Sequence, residues 1–483
     1  MKKTLSNILF AALVVLAAAS CQKDLNLDTE NEAGASRVLV ASFAADTKTT
    51  LGDNNTPKWA ENDVVKLING SNTKDFTLKS TISDATSEAS IIEDGAKFEV
   101  TLPDGWTGTI YACYPASAYS SISGDAVAIN LPSETDGSFG KANICTAKCT
   151  GGSTLSFENA TAILKITTAE SDATKDIKIA ISGGTPAEIT LTPSASGDQY
   201  VAVPAGKQFK DITFTVTKND GSWATKTSTS TSNTEINNIY DLQSISSEWS
   251  LTYNPAGSLP GVFSVSSSTK VRFSKGNLRV KKDGDNWTWG FYENQYDCNT
   301  ASSAASTDTE IDRFTWGYGT NSTNPTTTSY ESTFTDWGTV MGGSVWSTLS
   351  KDEWKYLLSG GADGRGSGVR YFKFPVSVAG KANCLVIAPD GNTTAIEESY
   401  DASAWETAEA SGLICLPPAG YRYGSPVEYV GEFGYYWSAT SIEEEGFEEF
   451  AWRMYFGGNT FFPTHLYFRN YGHSVRLVCT VSD

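Results

Sequence analysis

The chain has 483 residues, enough for two or three domains, and 40% of them are hydrophobic, enough to fill their cores. A formal net charge of −19 with no basic cluster argues against a nucleic-acid partner, and two histidines are a poor set for catalysis or a zinc centre. Ser and Thr are abundant and helical periodicity is scarce, which reads as mainly β.

Residues 1–20 join a basic start, "MKK", to an apolar run, "ILFAALVVLAAAS", too short to span a bilayer with ease. The run ends in "LAAASC", which resembles a bacterial lipoprotein signal. That resemblance implies cleavage before Cys21 and a lipid on its thiol; an ordinary secretory signal with an incidental cysteine is the alternative. Residues 21–36 form an acidic tether without periodicity. The expected location is the outer membrane, at the cell surface or in a fimbrium, with lipid on Cys21 as the membrane contact. Seven cysteines follow, an odd number, so at least one stays free or pairs between chains. Cys145 and Cys149 in "CTAKC" are candidates for a disulfide in an oxidising envelope.

Residues 37–250 alternate short apolar runs with Gly, Asn, Asp and Pro. Val38, Val40 and Ser42–Phe43 suggest a first strand, and Trp59 precedes "ENDVVKLI", with Val64, Leu67 and Ile68 as core candidates. The further strands are "GTIYACYPAS", "STLSFENATAILKITTA", "QYVAVPAGKQFKDITFTVTKNDGSWATKT" and "NNIYDLQSI", whose spacing suggests two stacked β-sandwiches or one long one. Taken in order, "TKTTL", "WAENDVVKL", "YACYPAS", "LSFENATAILKI", "VAVPAGKQFKDITFTV" and "IYDL" resemble the fimbrillin-like proteins of Bacteroidetes. The resemblance implies transthyretin-like β-sandwiches, assembly by donor-strand exchange with other pilin subunits, and proteolytic processing after an N-terminal arginine. Arg37, the first arginine of the chain, is the matching position.

Pro255, Gly257 and Pro260 mark a linker over 251–262, and a second domain is expected over 263–483. "WSTLSKDEWKYLLSGG" reads as a helix with Ser350 as N-cap, Glu353 closing a capping box, and Trp354, Leu357 and Leu358 on the buried side. "LICLPPAGYRYG", "GYYWSATS" and "HSVRLVC" read as strands. With "AWRMYF" and "RNYGHSVRLV", these motifs resemble the α+β C-type-lectin-like fold shared by formylglycine-generating enzymes, Bacteroidetes surface proteins and retroelement-diversified variable proteins. The catalytic cysteine pattern of the enzymes is not evident, and GxSxG, HExxH and P-loop motifs are absent. No enzyme activity, metal or cofactor is expected. The acidic run "IEEEGFEE" lacks calcium-loop spacing and reads as a solvated loop.

The densest signal is the window Trp452–Tyr471, with eight aromatics in twenty residues beside the turn formers Gly457, Gly458, Asn459 and Pro463. Alternation fails between "AWRMYF" and "SVRLV", so the intervening "GGNTFFPTHLYFRNYGH" reads as a loop too irregular to bury all its rings. Clustered exposed rings mark binding surfaces, and aromatics and Arg dominate binding hot spots. The candidate ligand contacts are Arg453, Tyr455, Phe461, Thr464, His465, Tyr467, Phe468, Tyr471 and His473, with Phe461 and Phe468 equally open to an anchoring role. Arg469 and Arg476 are expected to brace the loop. In the retroelement-diversified branch of the resembling fold, this segment is the variable one. The expectation is a lipid-anchored adhesin with a fimbrillin-like stalk and a lectin-like tip that binds a surface glycan or protein. A structural or tip subunit of a donor-strand-exchange pilus is the alternative, and an enzyme on the formylglycine-generating fold a more distant one.

Overall fold

The computed structural model describes residues 37–44, 58–284, 286–300, 309–322, 324, 326–341, 345–358, 372–424, 426–458 and 460–481. Cys21 and its tether lie outside them. The chain divides into one unit ending at Tyr253 and a second beginning at Asn254, and mainly β structure fills both. Among the described residues no helix is long and apolar enough to cross a membrane.

The first unit opens with a closed eight-stranded barrel. Its strands are β1 (Val38–Phe43), β2 (Val64–Asn69), β3 (Asn72–Lys79), β4 (Glu88–Ile92), β5 (Lys97–Thr101), β6 (Thr109–Tyr114), β7 (Cys145–Thr150) and β8 (Thr154–Asn159). Their order around the barrel is β1-β8-β7-β6-β2-β3-β4-β5, and β1 closes it by pairing antiparallel with β5 and parallel with β8. Alternation decides which residues point inward. Phe98 and Val100 of β5 and Leu155 and Phe157 of β8 fill the interior, while their sequence neighbours face out. In β1 the inward pair is Leu39 and Ala41, and Val38 is 45% exposed, so the first strand presents the face opposite to the expected one. In β2 the buried set is Val65, Leu67 and Ile68, with Val64 only partly covered. Trp59 plugs one end, within ring-contact distance of Phe43, Phe98, Tyr114 and Phe157.

Closure into a barrel replaces the first expected sandwich. The cysteine expectation changes too: Cys145 and Cys149 both lie on β7 with free thiols and point into the barrel core. Four residues of strand separate them by about 13 Å, far beyond the roughly 6 Å between Cα atoms that a disulfide needs. All seven described cysteines carry free thiols.

A sandwich follows. Ala162–Thr168 pairs with Gly197–Val203 and Ile239–Ser244 in one sheet. The other has five strands centred on Thr174–Ile181 and Ile212–Lys218. Their shared core is aliphatic, with Ile177, Ile179, Ile189, Val201, Ile212 and Val216, and Trp249 closes it.

Arg37 lies immediately before β1. Its guanidinium donates to the Gly108 carbonyl oxygen at 3.0 Å, to the Gly152 carbonyl oxygen, and to Cys149 Sγ at 3.3 Å. A cut after Arg37 would leave β1 attached to the rest of the chain and the barrel closed, so cleavage there does not by itself open a groove.

The described residues of the second unit combine two α-helices with several small sheets. Residues expected to form a linker are packed: Leu251 and Tyr253 lie against the sandwich core of the first unit, and Leu259 is buried in the second. Lys270–Phe273 pairs with Leu477–Thr480, which brings the two ends of this unit into one sheet. Helix α1 (Lys351–Leu358) starts with the expected reciprocal cap: the Ser350 N–H donates to Glu353 Oε2 at 2.7 Å and the Glu353 N–H to Ser350 Oγ at 3.3 Å. Trp354, Leu357 and Leu358 are its buried residues. A three-stranded antiparallel sheet, β9 (Phe433–Ser441), β10 (Phe450–Gly457) and β11 (Thr460–Phe468), carries the aromatic window.

Candidate functional site

The segment expected to be a loop is strand β11, at the edge of the β9-β10-β11 sheet. Arg453 pairs with His465 and Tyr455 with Phe462, so three steps on β11 oppose two on β10. The extra residue makes a bulge at Pro463–Thr464. Proline has no N–H to give to a ladder and is tolerated at an edge-strand bulge. The bulge also inverts the inside–outside alternation, which is why the sequence loses its period there. The β10–β11 turn is tight. A Cβ on Gly457, whose φ is +143°, would meet the Phe433 ring at 2.4 Å, so no side chain fits.

Alternation, reset once by the bulge, sorts the rings onto two faces. One is internal: Phe461 stacks on Phe372 with centroids 4.7 Å apart and packs against the core that holds Met454 and Phe456. The other carries Tyr435, Trp437, Arg453, Tyr455, Phe462, His465 and Tyr467, which the strand register places side by side. Tyr455 stacks on Phe462 at 5.0 Å, and Tyr467 meets Tyr471 at 4.9 Å. Neighbouring segments extend the cluster through Tyr421, Tyr423, Tyr429 and Phe433. Tyr423 is 48%, Tyr429 46% and Phe462 42% exposed, so the rim of this aromatic face is open to solvent.

Beneath the rim lies a polar layer. Arg453 is 5% exposed, and its guanidinium carbon sits 3.6 Å from the Tyr467 ring centroid, 4.4 Å from that of Tyr435 and 5.3 Å from that of Tyr455. Its Nη1 donates to Nε2 of His473 at 2.8 Å. That bond fixes Nε2 as the acceptor of a neutral imidazole. Burial, with Arg453 second, holds the His473 pKa well below the ordinary histidine value, and the same causes in the same order lower that of His465. Burial brings the Arg453 pKa down to about 10 and pushes the Tyr435 phenol up to about 12, so at neutral pH the guanidinium is charged and that phenol is not.

Of the expected contacts, Tyr455, Thr464, His465, Tyr467 and Tyr471 are partly exposed. His473 is fully buried and lies under the face, so it cannot touch a ligand on the surface. Arg453 is a buried second layer, and Phe461 anchors β11 to the core. Phe468 is 40% exposed but pairs with Phe450, at 4.4 Å, on the reverse side of the sheet from Tyr467. Phe462, Tyr421, Tyr423, Tyr429, Phe433 and Tyr435 were not singled out as contacts. Phe462 was hidden by the bulge, and the others stand in strand and turn motifs far from the dense window. Arg469 donates to the carbonyl oxygens of Phe450, Ser332 and Glu331, and Arg476 to Gln295 Oε1 and Asn277 Oδ1. Glu443–Glu449 is exposed throughout. Among the described residues no group of His, Cys, Asp and Glu side chains is arranged to hold a metal.

The family model that matches the chain is a domain of unknown function (DUF8237), over residues 354–478, the part that carries the aromatic face. No curated protein matches. Three of the solved structures that match overlap the chain weakly. A fimbrial protein from Bacteroides ovatus is 10% identical, with 92% of this chain and 99% of that one covered and a TM-score of 0.25. A candidate cell adhesion protein from Bacteroides uniformis is 13% identical over 46% of this chain and 99% of its own, with a TM-score of 0.28. A fimbrial assembly protein from Parabacteroides distasonis is 10% identical over 46% of this chain and 98% of its own, with a TM-score of 0.21. Superpositions this shallow carry no argument; the fold rests on the strand pairing itself.

Proposed function

We propose that this chain is a lipid-anchored cell-surface adhesin whose second unit binds a ligand on the β9-β10-β11 aromatic face. The observation that carries the reading is the rim itself, where Tyr423, Tyr429 and Phe462 each leave more than 40% of their surface in water beside half-buried Tyr455, Tyr467 and Tyr471. Contiguous exposed rings of this kind are costly to keep on a soluble surface and are the residues that dominate recognition sites. Tyrosine adds contact area and a hydroxyl at low entropic cost. The site is built for recognition. The sequence resemblances supply the rest of the proposal: lipid on Cys21, a fimbrillin-like stalk, and a lectin-like tip whose solvent-facing positions are open to retroelement diversification.

The test is capture of target cells or an arrayed glycan set by the triple variant Tyr429→Ser, Phe462→Ser, Tyr471→Ser. Binding should be lost while the melting temperature moves by no more than about 2 °C, as surface changes do. Retained capture, or collapse of the fold, would overturn the reading.

One observation favours a second reading, a polymerising subunit. β1 is the first described strand, and it completes the barrel through edges on both β5 and β8. A strand from another copy could take its place. That reading predicts detergent-resistant polymers after β1 is removed.

A further inference from the structure

The rim does not account for the charge beneath it. Among the described residues of this unit four other arginines are buried, and the oxygen partners of three are plain. Arg313 is ion-paired with Asp312 at 2.9 Å, Arg469 donates to three carbonyl oxygens, and Arg476 donates to two side-chain amide oxygens. Arg453 differs. Its hydrogen-bond partner is the nitrogen of a neutral histidine, its Nε has no partner, and among the described residues no carboxylate pairs with it. A buried guanidinium normally requires an anion or a set of oxygen acceptors, because desolvation of an unmatched charge is expensive. Beyond that histidine, the negative faces of Tyr435, Tyr455 and Tyr467 compensate the cation from the side; its Nε is covered, and Nη2 is the N–H group left for a further acceptor.

We propose that Arg453 is the anion-reading centre of the aromatic face and that the ligand is a carboxylate-bearing saccharide. This deepens the adhesin reading and rests on it. A carboxylate carries one charge, which suits a single guanidinium that donates to it through Nη2. A phosphate monoester, which carries up to two charges, would call for a second cation, and among the described residues Arg453 is the only cation over these rings. The sugar ring would lie on Tyr455, Phe462 or Tyr467, because aromatic faces are negative and attract the polarised C–H groups of a pyranose. The long-range field of a chain with net charge −19 repels anions, so recognition of this kind is local and depends on the buried cation.

The experiment follows the Arg453 Nε–H signal of the full chain by nitrogen–proton NMR during titration with glucuronate, glucose and N-acetylglycine. Glucuronate should move it saturably, and glucose should bind at least about tenfold more weakly. Arg453→Lys should weaken glucuronate binding and Arg453→Met abolish it, with melting curves recorded for both; because the Nε–H signal is read in the unaltered protein, an unfolded variant does not remove the test. An unmoved Nε–H signal overturns the proposal. So does glucose acting as strongly as glucuronate, and so does N-acetylglycine acting as strongly, which would assign the site to peptide carboxylates. If the rim triple variant loses capture while glucuronate leaves Arg453 untouched, the adhesin reading stands and this one falls.

Discussion

Burial, with Arg453 second, lowers the pKa of both histidines beside this guanidinium. His465 and His473 are the only histidines of the chain, and both sit below the ordinary histidine pKa because they are buried and face this guanidinium. In the unfolded chain each takes up a proton near pH 6.5; in the folded chain each does so only at lower pH. Between the folded and unfolded values the unfolded state therefore binds more protons, and stability falls as the pH falls. The penalty is absent above the unfolded value and grows below it, by at most about 1.4 kcal/mol per pH unit for each histidine. Melting curves between pH 7.5 and 5 should show this loss. His465→Gln with His473→Gln should flatten it, since glutamine offers Arg453 an oxygen acceptor and does not titrate. A slope unchanged by the double variant would mean that carboxylates alone cause it.

The bulge at Pro463–Thr464 is where the element decides the site. Ordinary alternation sends Phe461 to the core and Phe462 to solvent, and the bulge after them returns His465 and Tyr467 to the face of Phe462, so the two phenylalanines should behave differently. Phe461→Ala should cost about 2 kcal/mol, less than a fully buried phenylalanine, and leave ligand contacts in place. Phe462→Ala should cost under about 0.5 kcal/mol and weaken binding. Equal stability losses would show that the register assigned to β11 is wrong. The same element explains what the sequence could and could not tell. Regular strands and the capped helix were legible because alternation and the Ser350–Glu353 spacing are local signals. β11 was not, because one inserted residue breaks its period and a proline and two glycines flank the rings. The rings were found but not sorted. Neither β10 nor the "GHSVRLV" segment carries a local sign that Tyr467 and Tyr435 cover Arg453 and His473. The sandwich–barrel difference has a similar cause: closure depends on β1 meeting β5 almost sixty residues later, which no local pattern encodes.

At the scale of the whole molecule, β1 decides whether the first unit is a self-contained barrel or an acceptor for another chain. Leu39 and Ala41 are fully buried, and the strand fills ladder positions on two neighbours, Val38–Ser42 against β5 and Val40–Phe43 against β8. Cleavage after Arg37 removes none of this, so such cleavage should leave the melting temperature within about 2 °C of the intact chain and the protein monomeric. A chain that begins at Ala44 is a different case. It exposes two unpaired edges and an apolar slot, the condition under which sheets recruit strands from other molecules. That chain should form oligomers whose size grows with concentration, and a peptide of residues 37–44 should return it to the monomer by filling the slot. Analytical ultracentrifugation with and without the peptide reads both effects. A monomeric chain that melts normally without β1 would show that the barrel closes on itself, and the polymerising reading would then lose its structural basis while the aromatic face of the second unit kept its own.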